Sequence, residues 1–213
     1  MDAEYWHKKW QADDLGFHQA EGNPLLQAYF KTLALPAGSR VFVPLCGKTR
    51  DIAWLLSQGC RIAAVELSEL AVQQLFADLR LEPAVVVTQG LKHYSAPDLD
   101  IFVGDIFQLS REMLDVVDAV VDRAALVALP EEMRVRYARH VAGITGQAQQ
   151  LLVTFEYDQS QMSGPPFSIS NEEISRHYEN SYRISSLASV DVAGKLKGKC
   201  VANENVWLLT PLA

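Results

Sequence analysis

Residues 40–79 read RVFVPLCGKTRDIAWLLSQGCRIAAVELSELAVQQLFADL, and this stretch decides the fold. Two short apolar runs, residues 40–43 and 62–65, each precede a segment in which apolar residues recur at helical spacing. Gly59 is a typical stop for the first helix, and Ser68 is a typical N-cap for the second. Strands that are apolar throughout and alternate with helices are typical of a parallel sheet that is covered on both faces.

The same alternation extends along the chain and predicts an α/β fold with a mostly parallel, Rossmann-like sheet and helices on both faces. The last two predicted strands have no long helix between them, which favours an antiparallel hairpin near the C-terminus. We predict helices at residues 3–11, 49–57, 70–79 and 130–141, strands at 40–43, 62–65, 101–103, 116–121, 151–155, 182–187 and 206–210, and a small extra strand at 85–88.

Length and composition fit one domain that covers residues 1–213. A hydrophobic fraction of 49% is enough for a substantial core, and a net charge of −7 argues against a nucleic-acid partner, whose binding surface is usually basic. No apolar run approaches the roughly 20 residues that span a bilayer, and the first ten residues lack the apolar segment of a signal peptide. We therefore expect no membrane partner and a cytoplasmic location.

The cysteines and histidines predict neither a disulfide framework nor a metal site. The three cysteines show no C-x-x-C spacing, and the five histidines show no clustered pairing. Free thiols are typical of a reducing compartment.

Polar residues follow the predicted strands at the point where each strand ends. They are Gly47, Glu66, Asp105 and the pair Asp122-Arg123. In an open parallel sheet, ligands bind outside the carboxyl ends of the strands, so this edge is the expected ligand site. For any single acid, capping of the following helix is an equally good explanation.

Glu66 gives the sharpest of these predictions. It lies nineteen positions after Gly47, close to the roughly 20-residue offset at which an acid binds the hydroxyl pair of a ribose. A carboxylate has two acceptor oxygens and can take both hydroxyls. The alternative is that Glu66 serves the N-terminus of the helix that starts near Ser68.

The sequence of the loop after the first strand distinguishes between two possible ligands, a nucleotide bound by its phosphates and an adenosyl compound without phosphates. The G-x-G-x-x-G pattern is absent, and Gly47-Lys48-Thr49 only imitates the end of a phosphate loop, because Phe42 stands where that motif needs glycine. A nucleotide-binding phosphotransfer enzyme is therefore the weaker alternative. A ribose acid without a phosphate loop suits S-adenosylmethionine, with its adenine near Asp105-Ile106 and its sulfonium close to an aromatic side chain such as Trp10.

Six segments stand out in chain order: the residues from Glu4 to Trp10, GFHQ at 16–19, VPLCGK at 43–48, VELS at 65–68, DRAALVAL at 122–129 and GPPF at 164–167. In these segments, which are spread in order along nearly the whole chain, the sequence resembles thiopurine S-methyltransferases, especially the bacterial ones. VPLCGK and GPPF are the specific stretches. Ala125 departs from the animal relatives, which carry glycine there, so animal substrate preferences do not transfer.

The resemblance implies a class I methyltransferase fold and a methyl transfer from S-adenosylmethionine to the sulfur of aromatic or heterocyclic thiols such as thiopurines, or to selenium or tellurium compounds. It divides the domain into an N-terminal lid with helices (1–38), a cofactor-binding core (39–155) and a substrate flap with the C-terminal hairpin (156–213). The implied cofactor contacts are Trp10, Leu45, Gly47, Glu66, Ile106 and Arg123, and the implied substrate contacts are Phe17, His18, Arg123, Pro165 and Pro166.

Arg123 is the candidate catalytic residue, because it could favour an anionic thiolate, position the substrate or hold the cofactor carboxylate. It stays protonated and cannot act as a base. The alternative for Arg123 is an ion pair with Asp122 or a helix acid. His18 could be a base, but a structural role is favoured. We expect a monomer, and a non-catalytic module that binds S-adenosylmethionine remains a second alternative.

Overall fold

The computed structural model describes residues 3–12, 19 and 21–212. Its nine strands are β1 Arg40–Pro44, β2 Arg61–Glu66, β3 Ala84–Thr88, β4 Leu91–Ala96, β5 Leu99–Val103, β6 Ala119–Arg123, β7 Gln149–Tyr157, β8 Tyr182–Asp191 and β9 Ala202–Pro211. Its α-helices are α1 Ala3–Gln11, α2 Pro24–Tyr29, α3 Arg50–Ser57, α4 Glu69–Leu79, α5 Arg111–Leu114, α6 Glu131–Ile144 and α7 Asn171–Tyr178.

One sheet contains all nine strands in the order β3-β4-β5-β2-β1-β6-β7-β9-β8. The five central strands, from β5 to β7, are parallel. At one edge β9 pairs antiparallel with β7 and β8 pairs antiparallel with β9, which confirms the predicted C-terminal hairpin. The sheet is therefore mixed, with five parallel strands at its centre and antiparallel strands at both edges.

The opposite edge carries a second antiparallel hairpin that the sequence did not predict. Only the strand at 85–88 was predicted, whereas β4 follows it and pairs with both β3 and β5. Polar Lys92, His93 and Ser95 interrupt β4, so it has no apolar run to signal a strand. At the outer edge, β3 exposes Val85, Val86 and Val87, the last at 74%.

Further differences concern element boundaries and short helices, among them α5, which was not predicted. The strand predicted at 116–121 begins instead at Ala119, because Val116 is 73% exposed and lies outside the sheet. Helix α2 was missed although its sequence carries a signal: Asn23 accepts a hydrogen bond from the Leu26 amide (2.8 Å) and Pro24 takes the first helical position. Helix α7, capped by Ser170, was also missed.

Apolar clusters on both faces of the sheet explain why its strands are apolar throughout. On β1, Phe42 belongs to the cluster under α6 and α7, whereas Val41 and Val43 belong to the cluster under α2, α3 and α4. The prediction of helices on both faces is confirmed. No helix in the described part of the chain is long and apolar enough to cross a membrane.

Candidate functional site

A cavity of about 460 Å³ lies at the carboxyl ends of the parallel strands, where a sheet of this type binds its ligand. The ends of β1, β2, β5 and β6 form its floor, and α1 contributes part of its wall. The structure brings these predicted site residues together in the cavity wall: Trp10, Leu45, Gly47, Glu66, Ile106, Arg123, Pro165 and Pro166. Phe17 and His18 lie outside the described residues.

The loop after β1 makes a tight turn into α3. Leu45 and Gly47 both have positive φ angles, 45° and 53°. The Cys46 amide donates to the Val65 carbonyl of β2 (3.1 Å), so the loop is tied to the neighbouring strand. Burial, and next the charge of Glu66, raise the pKa of the Cys46 thiol well above its ordinary value, which keeps it protonated and unreactive.

Glu66 ends β2 and joins that loop to the next helix. One carboxylate oxygen accepts from the Gly47 amide and the other accepts from the Ser68 amide, both at 2.8 Å. Burial raises the pKa of Glu66, and the backbone amides oppose that effect. Because each carboxylate oxygen can accept more than one hydrogen bond, both retain capacity for hydroxyl donors from a ligand. Ser68 caps α4 with its own hydroxyl, so Glu66 is not needed as the helix cap.

Arg123 ends β6, the strand that neighbours β1, and its side chain is 10% exposed. Its Nε lies 3.9 Å from Oδ2 of Asp51, an acid in the first turn of α3. Asp51 is itself buried, and it accepts hydrogen bonds from the Asn23 amide (2.6 Å) and the Thr49 hydroxyl (2.8 Å). The predicted ion pair with a helix acid is therefore present, at long range, while the guanidinium still lines the cavity.

Asp122 does not line the cavity. The prediction that it lies with Glu66 and Asp105 at the ligand site is therefore wrong. Its carboxylate accepts from the Tyr137 hydroxyl at 2.6 Å and from the Leu126 amide at 3.1 Å, beneath the turn that follows β6. Burial raises the pKa of Asp122 to about 6, against the lowering effect of these hydrogen bonds. The capping alternative is the one that the structure supports here.

We expect Asp122→Asn to remove a pH dependence of stability. Because the pKa is about 6 in the folded protein and 3.8 ordinarily, the stabilising effect of a protonated Asp122 is complete below about pH 4. It is lost as the pH rises towards 6, by roughly 3 kcal/mol. Urea unfolding between pH 4 and 7 measures this. A difference between wild type and variant that does not change with pH would contradict the assignment.

Ile106, at 4% exposure, lines the cavity at the end of β5. Asp105 lies beside it and accepts from the Phe107 amide at 3.0 Å, which caps a short 3-10 turn. One side of the cavity is thus an apolar surface with a carboxylate at its edge.

The segment from Gly164 to Phe167 is held to the core by three contacts. The Pro166 carbonyl accepts from the Tyr157 hydroxyl (2.6 Å), and the Pro165 carbonyl accepts from Nζ of Lys197 (2.8 Å). The Phe167 amide donates to the Val127 carbonyl (2.7 Å) in the turn after β6. The two prolines therefore present a fixed apolar surface to the cavity.

Sequence reasoning missed part of the wall, because these residues come from β7, α6 and the C-terminal hairpin and belong to no motif. They are Met133, Phe155, Val192, Leu196, Lys197 and Glu204. Only the pairing of β7 with β9 brings the C-terminal residues to this edge of the sheet. Within the described residues, no group of histidine, cysteine and acidic side chains could hold a metal ion.

Solved structures with the same architecture are methyltransferases. The 1,6-didemethyltoxoflavin-N1-methyltransferase of Burkholderia thailandensis, solved with S-adenosylhomocysteine bound, superimposes with a TM-score of 0.65 and 15% identity over 98% of this chain and 87% of its own. A methyltransferase from Anabaena variabilis that depends on S-adenosylmethionine gives a TM-score of 0.65 at 11% identity, over 99% of this chain and 95% of its own. At these identities the similarity establishes the fold.

Sequence comparison gives a narrower result. Thiopurine S-methyltransferases from Xanthobacter autotrophicus and Teredinibacter turnerae are 51% and 49% identical over 210 residues, and at least 98% of each chain is covered. The family profile described as thiopurine S-methyltransferase matches residues 1–210. Neither the phosphotransfer alternative nor the non-catalytic module finds support in these comparisons. The chain belongs to the thiopurine S-methyltransferase family.

Proposed function

We propose that this protein transfers the methyl group of S-adenosylmethionine to the sulfur of aromatic or heterocyclic thiols, thiopurines among them. The observation that carries the proposal is the Glu66 carboxylate, which lines the strand-end cavity with spare acceptor capacity beside a loop that has a single glycine. Membership of the thiopurine S-methyltransferase family supports the same conclusion.

The cavity residues fit the parts of this donor. Glu66 suits the ribose hydroxyls, Ile106 and Leu45 offer apolar surface to the adenine, and we assign Arg123 to the donor carboxylate. Trp10, 4% exposed on α1, lines the cavity and could give a sulfonium an aromatic neighbour. When bound, S-adenosylmethionine supplies an electrophilic methyl group, and the chain's task is to hold the acceptor sulfur in line with it.

The proline surface on the acceptor side of the cavity is apolar and held in place by hydrogen bonds. Pro165 and Pro166 are fixed by the contacts with Lys197 and Tyr157. A flat, fixed apolar wall favours an aromatic ring and excludes water, which favours a reaction in which the charge of the sulfonium is dispersed. We propose that Phe17 and His18 contribute to the same side.

We further propose a monomer that acts in the cytoplasm, with selenium or tellurium compounds as additional acceptors. The free thiols of Cys46, Cys60 and Cys200 support the location, and the resemblance given by VPLCGK and GPPF supports the acceptors. The division into lid (1–38), core (39–155) and flap with hairpin (156–213) is proposed on the same basis.

The direct test combines calorimetry with S-adenosylhomocysteine and a methyl-transfer assay on thiophenol, 6-mercaptopurine, selenite and tellurite. We expect saturable binding of one nucleoside per chain and turnover of the aromatic thiols. Binding without turnover of any acceptor would leave only a sensor of the cofactor and reject the proposal.

Replacing Arg123 by alanine should lower kcat/KM by roughly 10- to 100-fold, since a charge-assisted contact is worth about 1.5–3 kcal/mol. The free energy of unfolding should change much less, because Asp51 keeps its hydrogen bonds from Asn23 and Thr49. Kinetics and urea unfolding measure the two effects, and Arg183→Ala, on the exposed face of β8, is the control. Equal losses of activity and stability would make Arg123 a structural residue.

A further inference from the structure

Glu204 places a carboxylate on the acceptor side of the cavity. It lies on β9, directly opposite Phe155 of β7, and both residues line the cavity. The other cavity residues from the C-terminal hairpin are Val192, Leu196 and Lys197. A carboxylate only accepts hydrogen bonds when it is ionised, so a ligand beside Glu204 should bring a donor.

The position of Glu204 is fixed by a chain of buried contacts. Its Oε1 accepts from Nδ2 of Asn23 at 2.7 Å, and Asn23 is fully buried. The side-chain Oδ1 of Asn23 accepts from the Leu26 amide, and the backbone amide of Asn23 donates to Asp51. Because Oδ1 is held in this way, the side-chain Nδ2 points towards Glu204. No hydrogen bond to Oε2 of Glu204 is present among residues 3–12, 19 and 21–212, which leaves that oxygen for a ligand.

Three acids line the described part of the cavity, and two of them are already assigned. Glu66 holds the loop amides and suits the ribose, while Asp105 caps the turn beside the apolar surface of Ile106. Glu204 is the third. It pairs with Phe155 of β7, and Phe155 in turn forms a bridge with Ser168, next to the segment from Gly164 to Phe167. It is therefore the acid that an acceptor would meet.

Heterocyclic thiols present a donor at the required place. In their neutral thione form, a ring N–H stands next to the C=S group. When the sulfur takes the methyl group, the S–CH3 bond of the donor breaks, a new S–CH3 bond forms, and positive charge develops on the ring nitrogen. The N–H proton must then leave so that the product is neutral. A carboxylate beside that nitrogen would stabilise the developing charge and accept the proton.

We propose that Glu204 hydrogen-bonds the ring N–H of a neutral heterocyclic thione and accepts its proton as the sulfur is methylated. This inference rests on the proposed methyl transfer and adds a specific contact for those acceptors that carry N–H beside C=S. The proton passes to Oε2 of Glu204 and afterwards to water. Thiols that carry an extra negative charge near the ring should be disfavoured, because that charge would face the carboxylate.

The test compares two acceptors in two variants. Pyridine-2-thione has the N–H, and thiophenol is a similar aromatic thiol without it. Glu204→Gln keeps an oxygen that can accept from Asn23 but cannot take a proton. The matched control is Glu156→Gln, because Glu156 on β7 accepts from Asn205 (3.3 Å) in the same ladder and does not line the cavity.

In Glu204→Gln we expect kcat/KM for pyridine-2-thione to fall roughly 100-fold, with loss of the acidic limb of its pH profile, as for removal of a proton acceptor. Values for thiophenol, binding of S-adenosylhomocysteine and thermal unfolding should stay near those of wild type, and Glu156→Gln should behave as wild type throughout. Equal losses for both acceptors, or the same selective loss in Glu156→Gln, would overturn this inference alone. A wild-type protein that methylates neither acceptor would overturn the proposed function as well.

Discussion

Replacing Glu66 by alanine should weaken binding of S-adenosylmethionine by more than tenfold. Two hydrogen bonds from ribose hydroxyls to a buried carboxylate are lost, and each charge-assisted bond is worth about 1.5–3 kcal/mol. The variant also frees the amides of Gly47 and Ser68, which Glu66 binds in the wild-type protein. The loop after β1 therefore loses its fixed shape, and the effect should approach 100-fold or more. Calorimetric titration with S-adenosylhomocysteine measures it.

Glu69→Ala is the matched control for this prediction. Glu69 stands three residues away, carries the same charge and is engaged by Lys92 and Tyr94 outside the cavity. Its removal should leave the dissociation constant unchanged. An unchanged titration in Glu66→Ala would reject the assignment of the ribose, even if the enzyme still turned over at high donor concentration.

Replacing Arg134 by alanine should lower the free energy of unfolding by about 3–5 kcal/mol, because it leaves an uncompensated buried charge. Arg134 lies on α6, is 5% exposed and donates to both carboxylate oxygens of Glu173 on α7, at 2.5 and 3.0 Å. Burial tends to raise the pKa of Glu173, but the hydrogen bonds from His177 and Arg134 outweigh it and lower that pKa. Of these two partners, only His177 remains for Glu173 in the variant.

The same substitution should also disturb the acceptor side of the cavity. Arg134 donates to the Leu129 carbonyl at 2.8 Å and its guanidinium lies 5.8 Å from the centre of the Phe167 ring. Leu129 lines the cavity, and Phe167 anchors the proline segment. We therefore expect KM for the thiol to rise while binding of S-adenosylhomocysteine is retained.

Urea unfolding of two further variants decides whether the buried pair explains this loss. Arg139→Ala, on the exposed side of the same helix, should change stability by no more than about 0.5 kcal/mol. The double variant Arg134→Met, Glu173→Leu should regain much of the lost stability, because apolar residues can replace a buried ion pair. If Arg134→Ala were as stable as Arg139→Ala, Arg134 would not stabilise the fold through Glu173.

The part of the fold that could be predicted is the part that local patterns determine. The parallel strands are apolar on both sides because clusters under α6 and α3 cover both faces, so β1, β2 and β5 are visible as continuous runs. Strand β4 was missed because half of its residues are polar and its pairing partners, not its own sequence, make it a strand.

The candidate site divides in the same way. Gly47, Glu66 and Ile106 follow strands directly, so the strand-end rule located them. Asp122 also lies near the end of a strand, but it is buried in the core. There the Tyr137 hydroxyl and the Leu126 amide donate hydrogen bonds to its carboxylate. Glu204 could not be located, since it reaches the cavity only through long-range pairing of β9 with β7.

The two outer strands of the sheet differ in how they meet solvent. Strand β8 bears serines and ends at Asp191. Strand β3 displays Val86 and Val87, and no further strand of the described sheet pairs with its outer side. Such an apolar rim is a template on which another polypeptide can add a strand. Self-association of this enzyme at high concentration would thus start at Val86 and Val87, at the opposite edge of the sheet from the C-terminal hairpin.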